Sequence, residues 1–95
     1  MIESYLTDPD FLPLRQAYLD DLRQRAPEIL VAVKNNDLDQ ARSFGHNLKG
    51  NGTSYGFQRI SDLGRDIEQA AIAGDEAILL DRLPLLIEYL KDLKL

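Results

Sequence analysis

The chain contains a single histidine, and the residues around it indicate what chemistry it could perform. His46 lies in the stretch FGHNLKGNGTSYG, with Arg42 four residues before it and Lys49 three residues after it. If this stretch is helical, both cations flank the imidazole, because residues three and four apart are neighbours on a helix surface. Two cations disfavour the protonated ring and favour a dianionic group bound to it. A neutral imidazole in this setting is suited to carrying a phosphoryl group.

The glycines around the histidine support the same interpretation. A glycine inside a helix costs about 1 kcal/mol relative to alanine, yet Gly45, Gly50 and Gly52 all lie in this predicted helix. At about 100° per residue, His46 points away from the apolar face, so we predict an exposed histidine. Gly45 and Gly52 point toward the other helices, where close packing explains them. Gly50 points outward, one turn beyond His46, and we interpret it as leaving access to the ring.

Other kinds of site fit these residues poorly. With one histidine and no cysteine, the sequence has no zinc-ligand pattern, so we predict no metal site. Ser43 lies close to His46, but nothing suggests an oxyanion hole for a catalytic triad. The glycines also lack the order and the preceding strand of a phosphate-binding loop.

The elements that must position the histidine are predicted to be helices. Four segments have apolar residues at helical spacing, and no segment alternates with the period of a strand. The first apolar stripe includes Leu14, Tyr18 and Leu22. We predict one all-α domain over residues 1–95, an antiparallel four-helix bundle with up-down-up-down order whose stripes form the core. Pro27 falls inside the first segment, so its N-terminal helix is expected to be short, kinked or split.

Turn and cap residues predict where the helices begin and end. Thr7 or Asp8 is expected to cap the first helix with Pro9 in its first turn. Asp37 is expected to cap the second, with Gln40 at the capping-box position.

The remaining boundaries rest on glycine and proline. Gly56 is expected to end the second helix, and Gly74 the third. Asp75 is expected to cap the fourth helix, and Pro84 to bend it. Gly64 falls inside the third helix, where the sequence alone gives no reason for it.

Composition limits the class of partner. The chain has 16 acidic and 11 basic residues among 95, a net charge of −5, which argues against nucleic acid and anionic membranes as main partners. The longest apolar runs, ILVAV and AILL, are far too short to span a bilayer, and the N-terminus does not resemble a signal peptide. We expect a cytoplasmic monomer that binds proteins or small molecules.

The stretch HNLKGNGTSYG resembles the H-x-L-K-G-x-x-x-x-x-G signature of histidine-containing phosphotransfer (HPt) domains, and the resemblance extends over about residues 8–92. It implies a four-helix bundle with a phosphorylatable histidine on the second helix. His46 matches the phosphoryl acceptor and Lys49 the lysine near the phosphoryl group. Gly50 matches the glycine that leaves room for that group, and Gly56 the glycine that ends the helix.

Glu68 falls where members of this family often have glutamine or glutamate on the facing helix. The resemblance implies that it accepts a hydrogen bond from Nδ1 of His46 and leaves Nε2 as the nucleophile. A hairpin count about Gly56 also places residues 66–68 opposite the histidine. The alternative for Glu68 is a solvated surface charge.

The function that this resemblance implies is a phosphorelay carrier in a two-component system, in which His46 carries a phosphoryl group between receiver-domain aspartates. The expected partners are response-regulator receiver domains and a hybrid sensor histidine kinase, which dock around Arg42, Ser43 and Thr53. The receiver would supply Mg²⁺, and the chain would need no cofactor of its own.

We expect no kinase activity from the isolated chain, so whether it should be called an enzyme is left open. Two alternatives remain: an adaptor bundle that carries no phosphate, and the phosphotransfer domain of a chemotaxis-type kinase. The initial Met and the early end after the fourth segment favour a standalone protein.

Overall fold

The computed structural model describes residues 8–95, and the regular structure within that range is helical. Thr7, one of the two predicted caps, lies outside the described residues. The described elements, in chain order, are α1 (Leu12–Lys34), α2 (Asp39–Asn51), a short 3-10 helix (Thr53–Tyr55), α3 (Gln58–Ala73) and α4 (Glu76–Asp92).

The four α-helices form an antiparallel bundle, as predicted. α2 packs mainly against α3, and α1 packs mainly against α4. Each helix buries one apolar stripe, and the core consists of Leu19, Leu22, Ala26, Ile29 and Val33 from α1, Ala41, Phe44 and Leu48 from α2, Ile60, Leu63, Ile67 and Ala70 from α3, and Leu79, Leu83, Leu86 and Leu90 from α4, together with Phe57. One residue of the predicted α1 stripe was wrong. Leu14 is 56% exposed, because it lies at the edge of the apolar face of α1, whereas Leu19 is fully buried.

Three residues with positive φ end three helical segments: Asn36 (65°), Gly56 (90°) and Gly74 (69°). After each of them the chain makes the paired backbone hydrogen bonds of a Schellman motif. For example, the amide of Phe57 donates to the carbonyl of Gly52 at 2.9 Å. The prediction for Gly74 is confirmed. The prediction that Gly56 ends α2 was wrong. α2 ends earlier, at Asn51, and Gly56 ends the 3-10 helix that follows it.

The predicted cap at Asp37 was wrong. The amide of Asp37 donates to the carbonyl of Ala32 at 2.9 Å, so this residue completes the end of α1. α2 begins at Asp39 after Leu38, which makes no side-chain cap. Gln40 donates to the Asp37 carboxylate at 2.9 Å instead of forming a capping box.

The start of α1 also differs from the prediction. The Asp8 carboxylate accepts a hydrogen bond from the Asp10 amide at 2.9 Å and forms a turn that precedes the helix. The proline in the first turn of α1 is Pro13 rather than Pro9. At α4, by contrast, the predicted cap is confirmed, because Asp75 accepts from the amide of Ile78 at 3.1 Å.

Neither internal proline divides its helix. α1 continues through Pro27 for 23 residues, and α4 continues through Pro84 for 17 residues. Both prolines lie on the exposed side of their helix, where the carbonyl that loses its partner can bond to water. The expectation of a short or split N-terminal helix was therefore wrong.

Candidate functional site

His46 lies near the middle of α2 and points away from the core. Its side chain is 66% exposed, whereas Phe44 and Leu48 on the opposite face are 2% and 1% exposed. The predicted orientation of the histidine is therefore confirmed.

Glu68 of α3 connects the histidine to Lys49. Its Oε2 lies 2.8 Å from Nδ1 of His46, and its Oε1 lies 2.6 Å from Nζ of Lys49. The hydrogen bond from Lys49, and then that from His46, hold the pKa of Glu68 below its usual range. Because an ionised carboxylate only accepts hydrogen bonds, Nδ1 must donate, and Nε2 is the nitrogen left for chemistry.

Glycines at the α2–α3 contact bring these side chains together. A Cβ on Gly45 would lie 2.6 Å from the backbone nitrogen of Glu68, and one on Gly52 would lie 2.6 Å from the backbone nitrogen of Ser61. Close packing also explains why position 64 is a glycine, since a Cβ on Gly64 would lie 2.6 Å from the backbone nitrogen of Lys49. With no side chains between them, the two backbones approach closely enough for a glutamate to reach the histidine.

Gly50 is different from these three glycines. A Cβ added to it would meet no atom within 4 Å, and the residue is exposed. Packing therefore does not require a glycine here, which agrees with the interpretation that Gly50 leaves space one turn beyond His46.

The C-terminal end of α2 is held by polar contacts from α1 and α3. The hydroxyl of Tyr18 donates to Oδ1 of Asn51 at 2.6 Å, and the two tyrosine rings of Tyr18 and Tyr55 stack with centroids 4.1 Å apart. On the other side, the buried hydroxyl of Ser61 accepts from the backbone amide of Thr53 at 2.8 Å. These contacts fix the end of the helix that carries the histidine.

A surface depression of about 590 Å³ adjoins the histidine. It is lined by Arg42, Ser43, His46, Asn47, Glu68 and Ile72. Between positions 42 and 53 the chain has two cations and no acidic residue, in spite of its net charge of −5. The α2 surface around His46 is thus locally basic.

Comparison with known proteins connects this geometry to a family. The family model described as "Hpt domain" matches residues 13–94. The chain belongs to the Hpt family. Neither the curated proteins nor the solved structures gave a match. As an Hpt domain, the protein takes part in phosphotransfer in two-component phosphorelays, where Hpt domains interact with receiver domains and kinases.

The Hpt fold brings together most of the residues predicted from the sequence. His46, Lys49 and Glu68 form one hydrogen-bonded group, and Arg42 and Ser43 line the depression beside it.

Besides Gly50, which lies one turn beyond His46, two predicted site residues, Thr53 and Gly56, lie outside this group. The hydroxyl of Thr53 is within hydrogen-bond distance of Ser61 Oγ, at 2.9 Å, and of Gln58 Oε1, at 3.1 Å, on the side of α3. Gly56 closes the loop that leads into α3.

Sequence reasoning missed Ile72 and the hydrogen bonds of Ser61 and Tyr18. Ile72 had a usable signal, because it is apolar but falls off the apolar stripe of α3. The partners of Ser61 and Tyr18 are 8 and 33 positions away, so their contacts had no local signal.

Within residues 8–95, none of the helices combines the length and hydropathy needed to cross a bilayer. The same residues contain no group of three or more His, Cys, Asp or Glu side chains placed to hold a metal ion.

Proposed function

We propose that His46 accepts a phosphoryl group from the phosphoaspartate of one receiver domain and transfers it to the aspartate of another. The observation that carries this proposal is the 2.8 Å contact between Nδ1 of His46 and the ionised carboxylate of Glu68. It gives an exposed imidazole a fixed tautomer, with the lone pair on Nε2.

In the transfer step, the Nε2 lone pair attacks phosphorus and forms an N–P bond. The P–O bond to the receiver aspartate breaks, and its electron pair leaves with the carboxylate. No proton has to leave Nε2, because in this tautomer the proton is on Nδ1. The positive charge that develops on the ring is stabilised by Glu68, and the reverse step returns the phosphoryl group to a carboxylate.

The role we propose for Lys49 is to stabilise the phosphoryl group while it stays paired with Glu68. An ammonium group has three N–H donors, and Glu68 Oε1 accepts one of them at 2.6 Å. We propose that a second donor binds a phosphoryl oxygen once His46 is modified. The open space at Gly50 then accommodates the group without steric conflict.

The proposed partners are response-regulator receiver domains and a hybrid sensor histidine kinase. The receiver supplies the aspartate and Mg²⁺, whereas this chain supplies the nucleophile, a nearby cation and a docking surface that includes Arg42 and Ser43. We propose that the chain acts as a monomer and has no kinase activity of its own.

Transfer of label from a phosphorylated receiver domain tests the proposal. The chain is incubated with receivers that carry ³²P, and the chain is then isolated. We expect label that is stable in alkali and labile in acid, as phosphohistidine is, and that is absent from His46→Gln. A chain that stays unlabelled with every receiver tried contradicts the proposal and favours the adaptor. Label that instead requires ATP and a kinase domain favours the chemotaxis-type alternative.

A further inference from the structure

Ile72 is an apolar side chain among the polar residues beside His46. At 65% exposure it is the most exposed large hydrophobic side chain within residues 8–95, and it lines the depression that adjoins the imidazole. Since it lies off the buried stripe of α3, core packing does not explain it. An exposed apolar residue at the edge of a polar site is a candidate for contact with a partner.

The register of α2 and α3 places Ile72 relative to the histidine. Gly45 contacts Glu68 across the two antiparallel helices, and Ile72 is one turn further along α3. One turn in the opposite direction along α2 is Arg42, which lines the same depression. Ile72 therefore lies beside Arg42, on the N-terminal side of His46 along α2.

The two sides of His46 along α2 differ in character. Toward the C-terminus lie Gly50, where a Cβ would meet open space, and the ammonium of Lys49. Toward the N-terminus lies the depression with Ile72 and Arg42. The first side suits a small dianion, whereas the second offers an apolar surface and a cation over a wider area.

Arg42 adds the charge that a partner must match. Within the described part of the chain it has no carboxylate partner, unlike Lys49, which pairs with Glu68. A protein that brings an acyl phosphate to Nε2 must cover the adjoining depression. The surface that fits has an apolar side chain over Ile72 and an acidic or acceptor group next to Arg42.

We propose that Ile72 is an apolar anchor for the receiver domain and determines how well a receiver docks. The anchor contributes to docking and takes no part in the transfer step, because an aliphatic side chain has no group that could bind the phosphoryl oxygens or exchange a proton. This inference rests on the proposed function, since it takes a receiver domain as the occupant.

The experiment compares two phosphoryl donors of different size. One is a phosphorylated receiver domain, chosen as the fastest donor to the wild-type chain. The other is phosphoramidate, which phosphorylates histidine with loss of ammonia and has no apolar surface to pack against Ile72. The variants are Ile72→Ala, Ile72→Leu as the conservative replacement, and Ile78→Ala as a control at an exposed isoleucine on α4. Thermal unfolding checks that each variant is folded.

We expect Ile72→Ala to lower kcat/KM with the receiver by about tenfold, mainly through KM, because truncating an interface anchor has an effect of that size. Ile72→Leu and Ile78→Ala should stay within about twofold of wild type. With phosphoramidate, all three should react at the wild-type rate. The proposal that Ile72 is an anchor is overturned if Ile72→Ala reacts with the receiver as wild type does. It is also overturned if Ile72→Ala loses the same factor in rate with both donors. A wild-type chain that accepts nothing from any receiver overturns the proposed function instead.

Discussion

A Cβ atom on Gly45 would lie 2.6 Å from the backbone nitrogen of Glu68, so these two residues mark the place where the α2 and α3 backbones touch. The Glu68 side chain extends from this contact to both His46 and Lys49. The hydrogen-bonded group at the surface therefore depends on the absence of a side chain in the interior of the bundle.

Gly45→Ala should damage both the fold and the site. The added methyl meets backbone atoms, which cannot move aside as a flexible side chain would, so we expect a loss of about 1–3 kcal/mol in the free energy of unfolding. Because the helices must separate, phosphorylation of His46 by phosphoramidate should also slow. Urea unfolding and the rate of labelling measure the two effects. Wild-type stability would show that the helix contact is looser than the structure has it.

Gly50 should respond in the opposite way, because a Cβ there meets no atom within 4 Å. Gly50→Ala should stabilise the protein by about 0.5–1 kcal/mol, since alanine favours the helix. It is the matched control for Gly45→Ala in the same unfolding experiment. Gly50→Leu should fold but accept phosphate at least about tenfold more slowly, because the larger side chain occupies the space beside the imidazole. A normal rate in this variant contradicts the access interpretation.

Glu68 should make the free energy of unfolding depend on pH in the acid range. Its folded pKa lies below the unfolded value, because of hydrogen bonds first from Lys49 and then from His46. The stabilisation is therefore present above the unfolded pKa, near the ordinary glutamate value of about 4.3, and is lost as the pH falls through the folded pKa. Wild type should be more stable than Glu68→Gln at pH 6, and the difference should vanish in acid. A difference that is constant from pH 6 to pH 3 contradicts this assignment.

Glu68→Gln also separates charge from hydrogen bonding in the transfer step. The amide oxygen can still accept from Nδ1, whereas Glu68→Ala removes the acceptor. Labelling of His46 should therefore fall in the order wild type, Gln, Ala, with at least about a tenfold loss for Ala. Equal rates for all three would show that Glu68 is only a surface charge.

The Tyr18 hydroxyl should stabilise the fold, and its contribution to the free energy of unfolding should depend on pH in the alkaline range. Burial, and then the charge of Tyr55, raise the pKa of the Tyr18 hydroxyl, which donates to Asn51. Since the folded pKa is above the unfolded value, this contribution is present below about pH 10 and is lost as the pH rises further. Tyr18→Phe should cost about 1–2 kcal/mol at pH 7, because the Asn51 oxygen loses its partner.

Tyrosinate absorbance measures the same group directly. In the wild-type chain Tyr18 should ionise above the range of free tyrosine, and this high-pH step should be missing in Tyr18→Phe. A step that persists in the variant belongs to another tyrosine and would contradict the assignment.

Helical periodicity alone predicted the four helices, the outward direction of His46 and the inward direction of Gly45 and Gly52. These features depend on residues three or four apart, and a helix fixes their relative directions without help from the rest of the chain. The helix ends were predicted less well. Asp37 was assigned to the start of α2 because its own preference fits a cap, but its amide completes the Schellman motif of α1.

The tertiary structure decided how closely the neighbouring helix approaches the histidine. Gly64 had no explanation until α2 was packed against it. The family resemblance and a hairpin count pointed to Glu68 as the partner of His46, but their 2.8 Å contact joins residues 22 positions apart and depends on where α3 lies. The same applies to Ile72, which the sequence shows as an apolar residue off the stripe and the bundle places beside Arg42. The sequence determines which way each side chain points from its own helix, whereas the distance between two helices is set by the side chains, or by the missing ones, at their contact.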